Sequence, residues 1–378
     1  MDFDYILLTP GPLSTTATVR AAMDRDLSTW DVDYNDIVQD IRQRLVALLE
    51  GGADATSVLM QGSGTFGVEA TIGTAVPPDG TLLVVNNGAY GARMLEIARR
   101  LGIATIDAQF GETESPSAET LDRLLNEHPE TTHVAAVHCE TTSGMLNPIE
   151  TLGKVVANHG PSFIVDAMSS LGGLPMTLDS LSADFVISSA NKCVQGVPGF
   201  SFVVARRQAL DACSGNSRSL SLDLHHQWSE MEAHHGKWRF TSPTHTVLAF
   251  AQALRELDSE GGVAARSTRY TRNQHRLVTG MQEIGFRPLL APELQSPIIT
   301  AFHDPVAEFD FASFYGHLKQ RGFVIYPGKV TQADTFRIGT IGNVHDNDIE
   351  RLLGAIAEVA DLMNLFTTIP TPGGGQSG

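Results

Sequence analysis

The sequence is poor in cysteine, has no long apolar run and contains few basic residues. Its three cysteines, Cys139, Cys193 and Cys213, lack the paired spacing of a metal site, which favours a reducing compartment without structural disulfides. No apolar run approaches the ~20 residues that a membrane helix needs. The acidic start, with Asp2 and Asp4, differs from a signal or transit peptide. We therefore expect a cytoplasmic protein that does not enter a membrane.

The acidic balance of the chain limits its partners. Asp and Glu number 43 and Lys and Arg number 26, so the formal net charge is −17. Such a chain repels nucleic acid and anionic membranes, which we exclude as partners. An anionic ligand would have to be bound by local positive groups against the overall field. The 378 residues, 42% of them hydrophobic, are ample for a large globular core.

Strand-like and helix-like segments alternate through the first two thirds of the chain. The strand candidates are short, β-branched and apolar on both faces, as parallel strands buried between helices are. They cover residues 57–61, 81–85, 133–138, 162–166, 184–188 and 200–204. Alternation of this kind predicts an α/β fold with a mostly parallel sheet and right-handed crossovers.

The pattern changes near residue 255. A long helix is predicted over 264–284, followed by short strands at 297–302, 322–325 and 335–338, and by helices at 311–321 and 346–365. We expect a smaller α+β domain over residues 256–365. The segment 366–378 is rich in Pro and Gly, which is typical of a disordered tail.

A glycine-rich turn and an aspartate follow two of the predicted strands. The turn, Gly62-Ser63-Gly64-Thr65, would bring backbone N–H groups close to an anion at the start of a helix. It matches no established nucleotide motif, and a simple tight turn explains it equally well. Asp166 ends a buried strand, where ligands of open α/β sheets bind, although such residues are often only helix N-caps.

Lys192 stands alone after the next strand, in the run DFVISSANKCVQGVPGF. A desolvated lysine loses its proton more easily and becomes a nucleophile, whereas a surface lysine would have no such role. One crossover separates Lys192 from Asp166, so both can reach the same crevice. A phosphate cup, a carboxylate and a lone lysine together match the needs of pyridoxal 5'-phosphate (PLP).

Several longer runs resemble a known family. They occur in this order: TPGPLSTTATVRAAM, QGSGTFGVEA, NNGAYGARM, ETTSGMLNPIE, VDAMSSLGG, SSANKCVQGVPGF, KWRFTSPTHTVLAFAQAL and GFVIYPGKV…FRIGTIG. They are similar to the 2-aminoethylphosphonate:pyruvate aminotransferases, in the class V group of fold-type I PLP enzymes. The resemblance extends from about residue 5 to about residue 360. It implies a large PLP-binding domain over 16–255, with residues 1–15 packing near the active site.

The resemblance implies roles in holding the cofactor. Lys192 resembles the family's Schiff-base lysine, and Asp166 resembles the partner of the pyridine nitrogen. Ser63, Gly64 and Thr65 are similar to the residues that form the phosphate cup.

Four further residues match positions that contact the cofactor or the substrate in the family. Tyr90 stands where relatives have an aromatic ring that stacks on the cofactor, and Thr141 resembles the hydroxyl residue at the O3' edge. Thr241 resembles a phosphate ligand that the neighbouring subunit provides, which implies a homodimer with shared active sites. Arg337 resembles the arginine that binds the substrate's anionic group, and a guanidinium suits phosphonate or carboxylate oxygens.

The implied activity is transamination between 2-aminoethylphosphonate and pyruvate, in phosphonate degradation. An aminotransferase of the alanine–glyoxylate or serine–pyruvate type is the main alternative. A cysteine desulfurase is disfavoured because no cysteine follows Cys213, and a non-catalytic PLP-binding protein because Lys192 is present. A phosphate-binding α/β protein without PLP stays open.

Some residues have no assigned role at this stage. Lys329, Arg93 and the stretch 9–12 are further candidates for contacts with a phosphonate, and Cys193 is interpreted as a packing residue. Four histidines cluster between residues 225 and 235, but their spacing fits no metal motif, so we expect no metal. They are His225, His226, His234 and His235.

Overall fold

A seven-stranded mixed sheet organises most of the chain in the computed structural model, which describes residues 5–366. The described residues form this sheet and three smaller ones. Their strands are β1 (Ile6–Leu7), β2 (Ala55–Gln61), β3 (Thr81–Asn86), β4 (Ala104–Gln109), β5 (Thr131–Val137), β6 (Cys139–Glu140), β7 (Met145–Leu146), β8 (Ser162–Asp166), β9 (Phe185–Ser189), β10 (Phe200–Arg206), β11 (Ile299–His303), β12 (Phe323–Val324), β13 (Tyr326–Pro327) and β14 (Thr335–Gly339).

Helices cover the sheet and connect its strands. They are α1 (Ala17–Ala21), α2 (Val32–Leu48), α3 (Gly64–Ala75), α4 (Ala89–Arg100), α5 (Ala118–Glu127), α6 (Ile149–His159), α7 (Leu178–Leu181), α8 (Arg207–Asp211), α9 (Leu224–Ala233), α10 (Thr244–Glu260), α11 (Gly262–Ile284), α12 (Phe311–Gln320) and α13 (Asp346–Leu362). Short 3-10 turns lie at Gly52–Asp54 and Pro292–Leu294. Within residues 5–366, none of these helices combines the length and apolarity that crossing a membrane requires.

The strand order of the large sheet is β2-β10-β9-β8-β5-β3-β4. Of the seven described strands in this sheet, only β10 runs antiparallel to its neighbours, which confirms the predicted α/β fold with a mostly parallel mixed sheet. The prediction missed the edge strand β4, because its residues are largely exposed and lack the apolar pattern of the buried strands. β8 and β9 are adjacent and parallel, as the interpretation of Asp166 and Lys192 required.

A smaller antiparallel sheet, β11-β14-β13, packs with α12 and α13. The strand predicted at 322–325 corresponds to β12, which pairs in parallel with β1 and not with this sheet. Leu8 consequently lies in the hydrophobic cluster of the smaller unit. The start of the chain is thereby attached to the C-terminal part.

Buried hydrophobic residues form two clusters, and α11 contributes to both. Tyr270 belongs to the cluster around the large sheet, whereas Leu277 and Met281 belong to that of the smaller sheet. We propose on this basis that the chain divides as predicted, with an N-terminal segment over 1–15 and domains over 16–255 and 256–365. The predicted disordered tail, 366–378, lies outside the described residues except for Phe366.

Candidate active site

The carboxyl ends of the parallel strands deliver most of the predicted residues to one edge of the large sheet. Gln61 and Ser189, the last residues of β2 and β9, both lie beside the start of β10. The cup follows β2, and Lys192 follows β9. Asp166 ends β8, which lies between β9 and β5. The loops that leave the strands lie at this edge, beyond the hydrogen-bonded part of the sheet. The edge therefore forms the crevice in which open α/β sheets bind ligands.

Lys192 is half-buried and has no carboxylate within ion-pair distance in the described part of the chain. Its Nζ donates a hydrogen bond of 2.7 Å to the carbonyl of Pro10. Burial lowers the pKa of Lys192 from 10.5 to about 8, and the neighbouring Cys193 and Asp166 oppose this shift. A lysine amine with a lowered pKa is a more available nucleophile near neutral pH.

The N-terminal segment packs directly on this lysine. Gly11 has a φ of +120°, and a Cβ on it would lie 2.7 Å from Nζ of Lys192. Only glycine combines this backbone conformation with such a close approach. The stretch 9–12, a candidate for contact with the substrate, thus lies against the lysine.

Asp166 lies at the end of β8 and is only 5% exposed. Its Oδ1 accepts a hydrogen bond of 2.9 Å from the backbone N–H of Met168, and no ion pair to it is found among residues 5–366. Burial raises its pKa from 3.8 to about 6, while the Met168 hydrogen bond and Lys192 lower it. A buried carboxylate without a cation can accept a hydrogen bond from a protonated ring nitrogen.

The glycine-rich turn leads into α3, with Ser63 as its N-cap. The Ser63 hydroxyl makes no capping hydrogen bond and is exposed, so it is available to a ligand at the helix N-terminus. A Cβ on Gly64 would clash with Met168, so the cup packs against the residues that follow Asp166. Thr65 accepts a hydrogen bond of 3.3 Å from Arg93 of α4.

Tyr90 and Thr141 are in direct contact, although 51 residues separate them. The hydroxyl of Thr141 donates a hydrogen bond of 3.1 Å to the hydroxyl of Tyr90. The guanidinium of Arg93 lies 5.1 Å from the centre of the Tyr90 ring, and Nζ of Lys329 lies 5.7 Å from it. Both distances lie within the range of cation–π contacts. Two of the cations that the sequence left as candidates therefore flank this ring.

Arg337 comes from β14 of the smaller sheet and is 3% exposed. It donates hydrogen bonds of 2.9 Å from Nε to the carbonyl of Pro327 and of 2.8 Å from Nη1 to the carbonyl of Thr141. Within residues 5–366 no carboxylate forms an ion pair with it. A buried guanidinium without a counter-ion is costly, which is consistent with an anionic ligand as its missing partner.

The fit to PLP follows from these contacts. The crevice contains a helix N-terminus with an unpaired hydroxyl at Ser63, a buried carboxylate without a cation at Asp166, and a lysine without a carboxylate. A phosphate, a protonated ring nitrogen and an aldehyde are the complementary groups. The residues present therefore fit this cofactor.

Thr241 makes no hydrogen bond to the other predicted site residues in the described part of the chain. It is exposed and precedes α10. The nearby Phe240 is 49% exposed and carries the guanidinium of Arg239 5.0 Å from its ring centre. Within residues 5–366, therefore, no hydrogen bond links Thr241 to the site.

Three of the four clustered histidines contact different side chains and not one another. His235 pairs with Asp36 at 2.6 Å, His234 lies 3.6 Å from Glu230, and the ring of His225 contacts Trp228. No group of three or more His, Cys, Asp or Glu side chains in the described residues is arranged to hold a metal ion.

Cys193 lies buried beneath the site. Its thiol donates to the carbonyl of Ser169 at 3.0 Å, and burial raises its pKa to about 12. A thiol in this state is not a nucleophile at neutral pH.

The buried charges around the site were not predicted from the sequence. Glu140, next to Thr141, is fully buried, and burial raises its pKa from 4.5 to about 7. Arg266 of α11 donates from Nη1 to the carbonyls of Cys193 at 2.9 Å and Val194 at 3.2 Å, and so holds the backbone after Lys192. The only sequence signal for Glu140 was its position in the run ETTSG.

Similar proteins agree with this geometry. The family model "Aminotransferase class-V" matches residues 15–352. The chain is 62% identical over 363 residues to the 2-aminoethylphosphonate–pyruvate transaminase of Syntrophobacter fumaroxidans, covering 96% of this chain and 97% of the relative. It is 58% identical over 355 residues to the Salmonella typhimurium protein of the same name, covering 93% and 97% of the two chains.

Solved structures show the same fold. The pyridoxamine–pyruvate aminotransferase of Mesorhizobium loti superposes with a TM-score of 0.88 at 22% identity, covering 96% of this chain and 93% of the other. The alanine–glyoxylate aminotransferase of Nostoc sp. gives 0.86 at 25% identity, covering 95% and 96%. The predicted fold type and family are confirmed. The chain therefore belongs to the class V aminotransferases, a family of PLP-dependent enzymes, and within it to the 2-aminoethylphosphonate–pyruvate transaminase family.

Proposed function

We propose that this chain moves the amino group of 2-aminoethylphosphonate to pyruvate, giving phosphonoacetaldehyde and alanine in the breakdown of phosphonates. The observation that carries the proposal is Arg337, a buried guanidinium without a carboxylate partner beside Tyr90 and Thr141. The relatives that are 58–62% identical are 2-aminoethylphosphonate–pyruvate transaminases by name, which supports the same substrate pair.

PLP, when bound, supplies an electron sink that eases removal of a proton from the carbon next to the amine. In the proposed site Ser63, Gly64 and Thr65 hold its phosphate at the N-terminus of α3. Tyr90 would pack on its ring, and Thr141 would contact the O3' edge.

Lys192 and Asp166 have the central roles in this proposal. Lys192 would hold the cofactor through Nζ. As a free amine, Nζ of Lys192 would move a proton to and from the substrate carbon as a general acid and base. Its lowered pKa suits this role, because part of the amine is neutral near pH 8. Asp166 keeps the ring nitrogen protonated, since an ionised carboxylate favours a positive partner.

Both proposed substrates carry an anion close to the reacting carbon. The phosphonate and the pyruvate carboxylate can therefore use one positive subsite in turn. We assign this subsite to Arg337, with Lys329 and Arg93 as additional positive charges. Within residues 5–366 none of the three side chains has a carboxylate partner. Local positive charge of this kind is necessary in a chain whose net charge is −17.

A donor screen at fixed pyruvate tests the proposed substrate. We expect 2-aminoethylphosphonate to exceed ethanolamine in kcat/KM by about a thousandfold or more, because ethanolamine lacks the anion that Arg337 binds. Alanine formation, measured for each donor with the wild-type protein, gives the ratio.

Alanine and serine, assayed with glyoxylate as well as pyruvate, represent the alternative. If either amino acid were the preferred donor over 2-aminoethylphosphonate, the chain would be an alanine–glyoxylate or serine–pyruvate type enzyme, and the proposed substrate would be wrong.

We also propose that the chain works as a homodimer with shared sites. Large apolar side chains are exposed near the cup: Leu220 is 77% exposed, Phe66 50% and Phe240 49%. Gly62, Phe66 and Phe240 line a cavity of about 340 Å³ on this side. A second copy covering this face would bury these side chains and could bring its own Thr241 to the cup.

The three cysteines are free, which supports a cytoplasmic location.

Sedimentation velocity tests the dimer. We expect wild-type protein to sediment as a dimer, and a variant with both Leu220→Asp and Phe240→Asp to sediment as a monomer with weakened PLP binding. Leu362→Asp, at the exposed end of α13, is the matched control and should stay dimeric. A monomeric wild-type protein that binds PLP fully would contradict the proposal.

A further inference from the structure

Glu140 is a buried carboxyl group in the active site that the proposed mechanism does not use. It is the last residue of β6, directly before Thr141, and its exposed fraction is 0%. Within residues 5–366 no basic side chain lies within ion-pair distance of it. An unpaired buried acid is costly, and a residue needed only for packing would not require a charge.

The two oxygens of Glu140 accept hydrogen bonds from two different segments. Oε1 accepts from the hydroxyl of Thr142 at 2.6 Å, a length typical of charge-assisted bonds. Oε2 accepts from the backbone N–H of Tyr90 at 3.2 Å. Tyr90 is in the first turn of α4, where a negative charge is favoured by the helix dipole.

The turn before α4 is shaped to admit this carboxyl group. A Cβ on Gly88, the N-cap of α4, would lie 2.5 Å from Cδ of Glu140. Only a residue without a side chain permits this approach. The carboxyl group and the start of α4 are therefore packed against each other as a unit.

The two segments that Glu140 joins carry two proposed cofactor contacts. The backbone N–H of Tyr90 donates to the Glu140 carboxylate. At the other end of the same residue, the Tyr90 hydroxyl accepts from the hydroxyl of Thr141. Thr141 is the chain neighbour of both Glu140 and Thr142. The same carboxyl group thus restrains the backbone of Tyr90 and the turn that presents the hydroxyl of Thr141.

We propose that Glu140 is a positioning residue that fixes Tyr90 and Thr141 in the arrangement required for PLP. The inference rests on the proposed roles of these two residues. The reason is geometric: the Tyr90 N–H and the Thr142 hydroxyl both donate to the one carboxylate of Glu140. Loss of either oxygen would therefore free either the start of α4 or the turn that contains Thr141. Burial raises the pKa of Glu140 to about 7, and the hydrogen bonds from Thr142 and Tyr90 hold it below what burial alone would produce.

Glu140→Gln is the most informative test, because glutamine keeps the shape but replaces one acceptor oxygen with an amide donor. The glutamine oxygen can still accept from Tyr90 N–H, but the amide can then only donate to the Thr142 hydroxyl, so the charge-assisted bond from Thr142 is lost. We expect the dissociation constant for PLP, measured by titrating cofactor-free protein, to rise about tenfold or more. We expect kcat to fall as well, while the melting temperature of the cofactor-free protein stays close to that of wild type.

Glu96→Gln is the matched control, since Glu96 lies on α4, the helix that carries Tyr90, and pairs with Arg100 at the surface. It should leave the PLP dissociation constant, kcat and KM unchanged. The inference is overturned if Glu140→Gln binds PLP within twofold of wild type. It is also overturned if the cofactor-free variant melts at a much lower temperature, because Glu140 would then support the fold in general. Cofactor affinity is measured without substrate, so a failure of the proposed donor would be visible separately.

Discussion

Replacing Lys192 with alanine is expected to reduce transamination by about 10⁴-fold or more, because one residue supplies both the bond to the cofactor and the proton transfer. Lys329, the other lysine that the described residues place beside the site, is exposed, and its Nζ lies 5.7 Å from the centre of the Tyr90 ring, so we do not expect it to replace Lys192. Borohydride should attach PLP covalently to the wild-type protein but not to Lys192→Ala. Single-turnover assays and the mass of the reduced protein measure the two effects.

The same variant should remain folded, which separates chemistry from stability. The folded-state pKa of Lys192 is lowered from 10.5 to about 8, so holding its charge in the site opposes folding, fully below pH 8 and progressively less up to pH 10.5. Alanine removes this cost and loses one hydrogen bond to Pro10. We therefore expect cofactor-free Lys192→Ala to melt no lower than wild type at pH 7. Lys154→Ala, on the exposed face of α6, is the control. Transamination retained by Lys192→Ala would refute the assignment.

Replacing Arg337 with lysine or glutamine should impair the recognition of both anionic substrates. Lysine keeps the charge but lacks the planar fork, and glutamine lacks the charge as well. We expect kcat/KM for 2-aminoethylphosphonate to fall about a hundredfold for Arg337→Lys and about a thousandfold for Arg337→Gln. The effect should appear chiefly in KM, measured separately for the amino donor and for pyruvate.

Ethanolamine provides the internal control for this prediction. It has no anionic group, so its low kcat/KM should change little in either Arg337 variant. If both donors lost activity equally, Arg337 would act through its hydrogen bonds to Thr141 and Pro327 and not through the substrate. A variant at Arg351, which is exposed on α13, controls for the loss of an arginine from the C-terminal part of the chain.

Much of the large sheet could be predicted because its signals are local. Each buried parallel strand is a short apolar run, and the residue that ends it is recognisable in the sequence. Asp166 and Lys192 follow adjacent strands, and the rule that ligands bind at such strand ends places them in one crevice. The strand β4 was missed because it is an exposed edge strand without that pattern.

Other parts of the site depend on contacts between distant segments. Arg337 reaches the carbonyl of Thr141 from another sheet, and Pro10 reaches Lys192 from the start of the chain. Neither contact has a local pattern, because each depends on how segments that are distant in the sequence pack together. Glu140 gave no signal as a buried acid, since an isolated glutamate is usually exposed. The role of Thr241 stays a prediction, because a second chain would have to complete it.

The sequence by itself determined the α/β architecture, the strand-end positions of the cup, Asp166 and Lys192, and, through the resemblance of its longer runs, the family. These features are short-range: periodicity, turn residues and contiguous motifs. Only the tertiary structure decided which charges are buried without a counter-ion and which backbone groups they bind. Burial is a property of packing across the whole chain, and it is burial that lowers the pKa of Lys192, raises that of Asp166 and leaves Arg337 in need of an anion.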